Sequence, residues 1–331
     1  MKVLITGAAG FIGQAISAHL LKESKALQLT GVDNFDAYYA RSYKEYRLTQ
    51  LSSYAQFNFT ETDVCSKDMQ ELILGVRPEV VILAAAKVGV SYGEAHSDEY
   101  VRTNIVGLNS TLNTLQKVMP KHVIFFSSSS VYGSLTMQKD ICLSEDLPIT
   151  TQTPLSIYGI TKAAGESLLH NFAKKTSIPV TIIRPFSVYG PSGRPDMLPG
   201  RAMQAVLTKK TLPLFDSNRA LARDWTYIDD IARFIGKLVA DTPPDSLQIL
   251  NVGSGSAVTL DDWIALFKKQ LIKEKLQLKT KTVASRGYES HFNQADNSRA
   301  RALGFLPATS LAEGLRNTIH FFIQHPQFLY E

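Results

Sequence analysis

Two kinds of segment alternate along the first half of the chain. Short β-branched or apolar runs occur at KVLIT (2–6), LQLTGVD (27–33), VVILAA (80–85) and HVIFFSS (122–128). Longer stretches with helical spacing lie between them, such as Phe11 to Lys22 and Tyr100 to Val118. Strands that are apolar at nearly every position are buried on both faces, and intervening helices supply the cover. The expected fold class is α/β, with a doubly wound parallel sheet. Runs PVTIIRP (179–185) and QILNVG (248–253) add strands. The last third is less regular, with Pro and Gly clustered near 185–200 and a helix-like run at 261–275. The expected division is a larger unit of 1–185 plus about 228–254, and a smaller mixed α/β region of about 186–227 and 255–331. A sheet of this kind binds ligands at the carboxyl ends of its strands.

Composition narrows the class. The chain has 331 residues and is 44% hydrophobic, enough for a large core and too apolar for disorder. Two cysteines, Cys65 and Cys142, cannot form a disulfide framework and are expected to be reduced thiols. The first residues, MKVLITGAAG, lack the apolar stretch of a signal peptide, and VVILAAA (80–86) is far short of a membrane span. The expectation is a soluble cytoplasmic protein with no membrane partner. The net charge of +5 raises the question of an anionic partner. Residues 268–281, KKQLIKEKLQLKTK, hold six Lys and one Glu, so the excess is one local cluster. No recognition-helix, zinc or RNP-type pattern accompanies it, so a nucleic-acid partner is not expected.

Two motifs carry chemistry. In GAAGFIG, Gly7, Gly10 and Gly13 follow the first strand and open a helix. Glycines there let the backbone approach a pyrophosphate, whose charge meets the helix N-terminus. Asp33 ends the second strand, where a carboxylate bonds the ribose 2′-OH of NAD and repels the 2′-phosphate of NADP. The sheet is thus expected to be Rossmann-type and the cofactor NAD. In SIYGITK, Tyr158 and Lys162 are four positions apart, on one helix face. A Lys⁺ beside the phenol favours the phenolate, and a positive nicotinamide ring pushes the same way. A hydroxyl from the serine run FFSSSSVYG (125–133) can then bond the reacting substrate oxygen. Ser128 and Ser129 point to opposite faces if the strand continues through them.

The GxxGxxG spacing and these motifs resemble the extended short-chain dehydrogenase/reductases, over nearly the whole chain. The resemblance implies that Ser128 is the catalytic hydroxyl, with Tyr158 and Lys162, and Ser129 as its close competitor. It implies a cofactor set of Gly7, Gly10, Phe11, Ile12, Gly13, Asp33, Asn34, Asp63, Val64, Ala84, Ala85, Lys87, Asn104, Tyr158, Lys162 and Pro185. Asp63 and Val64 would flank the adenine, and Lys87 would lie near the nicotinamide ribose. No metal is implied. Family members are usually dimers, which makes helices near 100–118 and 155–175 the expected homodimer elements.

IRPFSVYGPSGRPDM (183–197) and RDWTYIDDIA (223–232) resemble nucleotide-sugar epimerases and dehydratases. That resemblance puts Arg223 and Arg286 on the UDP phosphates, Leu214 and Phe215 on the uracil, and Glu289 on the uridine ribose. Asp229 and Asp230 are expected to cap the next helix. Dehydratases of this family carry an Asp–Glu pair before VYG and decarboxylases a Glu; here only serines stand there, which favours epimerisation. GVDNFDAYYARSYKEYRL (31–48) and SVYGPSGRPDM (187–197) are similar to segments of UDP-glucuronate 4-epimerases. In those enzymes a Thr and an Arg hold the sugar carboxylate, here Ser187 and Arg194, with Ser128 and Ser129 also facing the sugar. An Arg fork matches two carboxylate oxygens. Departures are Ser192 for a Trp, Ser91 for an Arg, and the segment RGYESHFNQAD (286–296). The implied reaction oxidises the sugar transiently at C4 and passes through a 4-keto intermediate. The rival readings are a UDP-glucose or UDP-N-acetylhexosamine 4-epimerase, and a catalytically silent NAD-binding sensor.

Overall fold

A computed structural model describes residues 1–137, 141–215, 221–241, 246–284 and 292–330. Seven parallel strands form the main sheet: β1 (Lys2–Thr6), β2 (Gln28–Asp33), β3 (Phe57–Glu61), β4 (Val80–Leu83), β5 (His122–Phe126), β7 (Val180–Pro185) and β11 (Leu247–Val252). Their spatial order is β11-β7-β5-β4-β1-β2-β3, so the winding direction reverses between β1 and β4. This is the expected doubly wound α/β sheet, and the reversal opens a crevice at the carboxyl ends of those strands. β1, β4 and β5 are buried almost throughout, as their unbroken apolarity requires.

A second sheet contains β6 (Cys142–Leu143), β8 (Ser187–Tyr189), β10 (Ala222–Tyr227), β12 (Ala257–Thr259) and β14 (Phe292–Ala295). β9 (Thr211–Phe215) pairs in parallel with β13 (Lys279–Val283). A separate aromatic-rich core fills this region, with Trp263, Phe267, Phe322 and Tyr43 at its centre. Among the described residues no helix is long and apolar enough to cross a membrane. Of the lysine cluster, Lys269, Lys273 and Lys275 lie exposed at the end of helix Leu260–Lys273, and Lys279 and Lys281 on the exposed edge of β13.

The structure corrects several expectations. The 100–118 stretch is not one α-helix: a π-helical turn, Arg102–Gly107, interrupts it. π-turns turn a side chain out of the regular ladder, and here Asn104 is driven inward. β3 shows no continuous apolar run because it is an edge strand with mixed residues and half-buried faces. Asp229 and Asp230 occupy the first turn of helix Ile228–Ala240 and give no side-chain cap. Asp230 is instead buried, and its carboxylate accepts from the Thr309 amide (3.2 Å) and hydroxyl (3.1 Å).

His122 opens β5 and is buried, its Nε2 beside Thr181 Oγ1 at 2.9 Å. Burial pushes its pKa from 6.5 down to about 4. Between those values the unfolded chain binds a proton that the folded protein refuses. Stability present above pH 6.5 is therefore expected to fall as the pH drops towards 4, by on the order of 3 kcal/mol. Melting temperature followed across that range should fall less steeply for His122→Gln than for the parent protein.

Candidate active site

A cavity of about 880 Å³ lies over the carboxyl ends of the main sheet. Gly7, at φ +75°, turns the chain out of β1, and the Gly7 and Ala8 amides donate to Val32 O at 2.7 and 3.0 Å. A Cβ at Gly7 would sit 2.9 Å from the Ala85 amide, and one at Gly13 only 2.0 Å from Gly7 O. The glycines therefore let the first turn, its helix and the β4 loop close on one another. No side chain caps that helix at Gly10, and its first residues line the cavity. Gly7, Gly10, Phe11, Ile12, Gly13, Asp33, Asn34, Val64, Ala84, Ala85, Lys87 and Pro185 all line this space.

Asp33 accepts from the Ala9 amide (3.1 Å) and the Phe35 amide (2.9 Å). Burial raises its carboxyl pKa, against the Lys44 charge and those amides. Lys44 lines the same corner, although no motif singled it out. Asp33→Ala is expected to weaken NAD binding by roughly 10–100-fold, the worth of a charged hydrogen bond. With Lys44 still present, NADP should lose much less. Titration of both dinucleotides checks this.

Four expected site residues do not reach the cavity wall. Asp63 is drawn sideways, pairing with Arg102 at 3.0 Å and accepting from the Cys65 amide at 2.7 Å. Asn104 lies behind the wall: Lys87 N donates to its Oδ1 (2.8 Å), and its Nδ2 donates to Lys87 O and Thr161 Oγ1 (both 3.0 Å). It thus pins the β4 loop to the helix Ile157–Thr176. Lys162 is fully enclosed, and Leu214 packs into the second core while its neighbour Phe215 faces the cavity, by strand alternation. Lys87 lines the wall, but its ammonium is bonded to Glu99 and Asp36.

At the reactive corner, β5 ends at Phe126 and a 3₁₀ segment starts at Ser129. The strand does not run through the serines, so Ser128 and Ser129 both face the cavity rather than opposite sides. They still differ. Ser128 sits beside Tyr158, whose pKa it lowers, and accepts from the Ser130 amide at 3.1 Å. Ser129 faces Asn293, whose Nδ2 is 3.4 Å away. Asn293 also lines the cavity, and its buried Oδ1 has no partner among the described residues.

The electrostatics of Tyr158 differ from expectation. Burial raises its pKa, and the neighbouring Ser128 and the Arg194 charge only oppose that. The Lys162 ammonium is 6.0 Å from the Tyr158 ring centre and donates to Phe126 O at 2.6 Å. Burial lowers its pKa to about 7, so its charge is itself marginal near neutrality. The lysine alone does not prepare a phenolate. Below it lies a buried network that sequence reasoning missed: Arg184 to both Glu166 oxygens (2.9 and 2.6 Å), Ser127 Oγ to Glu166 (2.5 Å) and Arg184 to the Tyr132 hydroxyl (2.9 Å).

On the far wall stand Ser187, Arg194, Phe215 and Arg223. Arg194 is close enough to influence Tyr158, yet it is not an unpaired charge. Its Nε and Nη2 donate to the two oxygens of Asp196 at 2.9 and 2.6 Å. A neutral sugar would therefore not leave this guanidinium unpaired. Arg286 and Glu289 lie outside the described residues.

Residues 3–253 match the model of the NAD dependent epimerase/dehydratase family. The chain is 32% identical to the UDP-glucuronate 4-epimerase of Thermodesulfobacterium geofontis, over 96% of this chain and 95% of that protein. It is similar to the crystal structure of UDP-glucuronic acid 4-epimerase from Bacillus cereus in complex with UDP-glucuronic acid and NAD. That TM-score is 0.89 at 32% identity, covering 98% of this chain and 100% of the other. The UDP-glucose 4-epimerase of Thermotoga maritima, crystallised with UDP-glucose, gives 0.85 at 26% identity, covering 98% of this chain and 100% of the other. The glycine contacts that no Cβ could share, and a carboxylate at the end of β2, fit a dinucleotide at this crevice. The chain belongs to the NAD dependent epimerase/dehydratase family, with NAD as its cofactor.

Proposed function

We propose that the protein is a UDP-sugar 4-epimerase whose substrate pair is UDP-glucuronate and UDP-galacturonate. The observation that carries the acid-sugar reading is Arg194, a guanidinium on the cavity wall near enough to Tyr158 to act on its phenol. A uronate bears its carboxylate on C5, next to the reacting C4. Ser187 stands on the same wall and offers a hydroxyl.

Bound NAD supplies reversible hydride acceptance at C4. Tyr158 is the base that takes the C4 hydroxyl proton, and Ser128, beside the phenol, bonds the same oxygen. Lys162 and the bound cofactor together must lower a phenol that burial alone keeps protonated. Arg223 and Phe215 hold the UDP end, so that a 4-keto sugar can turn over within the cavity and be reduced on its other face. In this reading 1–185 with about 228–254 binds the cofactor, and about 186–227 with 255–331 binds the sugar nucleotide. Two copies pair through the segments near 100–118 and 155–175, where Val106 and Ile160 are half exposed.

One observation favours a neutral hexose instead: Asp196 already neutralises Arg194. Incubation without added NAD, in parallel with UDP-glucuronate, UDP-glucose and UDP-N-acetylglucosamine, decides between them by product analysis. UDP-galacturonate is the expected product. Conversion of UDP-glucose with none of UDP-glucuronate would sink the acid-sugar assignment, and a protein inert towards all three would return the sensor reading.

A further inference from the structure

Arg194 meets the cavity already engaged. Asp196 takes its Nε and Nη2 in a two-point fork, and the Tyr38 hydroxyl donates to the same carboxylate at 2.9 Å. Among the described residues Nη1 carries no hydrogen bond, so one edge of the guanidinium remains for a ligand. The arrangement is held from several sides. The Arg194 guanidinium lies 5.4 Å from the Tyr38 ring centre, and Tyr92 meets that ring edge-on at 4.9 Å. Gly89, at φ +96°, makes room for the Tyr38 hydroxyl, because a Cβ there would sit 2.5 Å from it. Arg194 and Tyr38 thus meet on the Asp196 carboxylate, with Gly89 and Tyr92 bracing Tyr38, and the cavity sees a nearly neutral pair rather than a cation.

We propose that Asp196, steadied by Tyr38, is a positioning residue that sets how strongly this site distinguishes an acidic from a neutral sugar. A substrate carboxylate approaching Nη1 meets a guanidinium whose charge is already balanced, and it adds a second negative charge to the cluster. A neutral C5 substituent meets no stranded cation. Asp196 therefore lowers the preference for a uronate and widens the range of sugars accepted. This inference rests on the proposed UDP-sugar reading and on Arg194 facing C5.

The test compares UDP-glucuronate, UDP-glucose and UDP by calorimetric titration of the NAD-loaded enzyme. In Asp196→Asn the ratio of UDP-glucuronate to UDP-glucose affinity should rise at least tenfold, with UDP affinity unchanged. Tyr38→Phe leaves the fork but removes its support, and should raise the ratio by about threefold. Should D196N fail to fold, the Tyr38 variant alone decides. An unchanged or lowered ratio overturns the inference, and so does an equal loss for all three ligands, which marks a purely structural role. Turnover of UDP-glucuronate by the parent enzyme is scored separately. Its absence would defeat the acid-sugar reading, while the binding ratios would still judge Asp196.

Discussion

Replacing Tyr158 with Phe is expected to lower kcat on UDP-glucuronate by about 10²–10⁴-fold, the usual worth of a positioned acid–base group. The ring should stay where it is. It is half-buried in the cavity wall, and it meets Tyr100 edge-on at 6.4 Å, a contact that phenylalanine keeps. What disappears is the phenol oxygen beside Ser128. KM and bound NAD should therefore change little, and the melting temperature by no more than a few degrees. Steady-state rates with cofactor content measured on the same sample check this. A variant with unchanged kcat would remove Tyr158 from the chemistry.

The second large effect is on stability. Glu166→Ala is expected to cost about 3–5 kcal/mol, because it strands Arg184 as an uncompensated buried charge. Arg184 is 3% exposed and Glu166 8%, so water does not replace the lost carboxylate. Ser127 loses its acceptor as well. A drop on the order of 10 °C in melting temperature should follow. Glu166→Gln keeps hydrogen-bonding atoms and should cost less. The effect reaches the active site, since the Glu166 charge helps keep Lys162 protonated one turn earlier on the helix. Without it, the activity of whatever protein folds should need a lower pH. Thermal unfolding together with a pH–rate profile tests both consequences.

The legible parts of this protein are local ones. The glycine turn could be read because β1, Gly7, Gly10 and Gly13 are contiguous, and each glycine answers a steric demand within a few residues. The helical spacing of Tyr158 and Lys162 likewise needed only one helix. Core strands were recognised by continuous apolarity, whereas β3, mixed in composition and at the sheet edge, had no such signal.

The rest depended on contacts between distant segments. Nothing near Lys87 in sequence announces that Asp36 will reach its ammonium. Arg194 stands two residues from Asp196, but the fork between them depends on the fold of the loop that carries both and on Tyr38, far away in sequence. Lys162 was expected to charge the phenol. The buried surroundings that weaken its own charge come from packing that spacing does not encode. Asn293 lies in the segment already marked as departing from its relatives, and its register beside Arg223 turns that departure into a cavity residue.

The central claim is that the sugar is oxidised and re-reduced at C4 within one site. UDP-glucuronate deuterated at C4, incubated with the purified enzyme in ordinary water without added NAD, tests it most directly. The account expects UDP-galacturonate that retains its deuterium at C4. A product carrying hydrogen at that carbon, or deuterium lost to solvent, would contradict it.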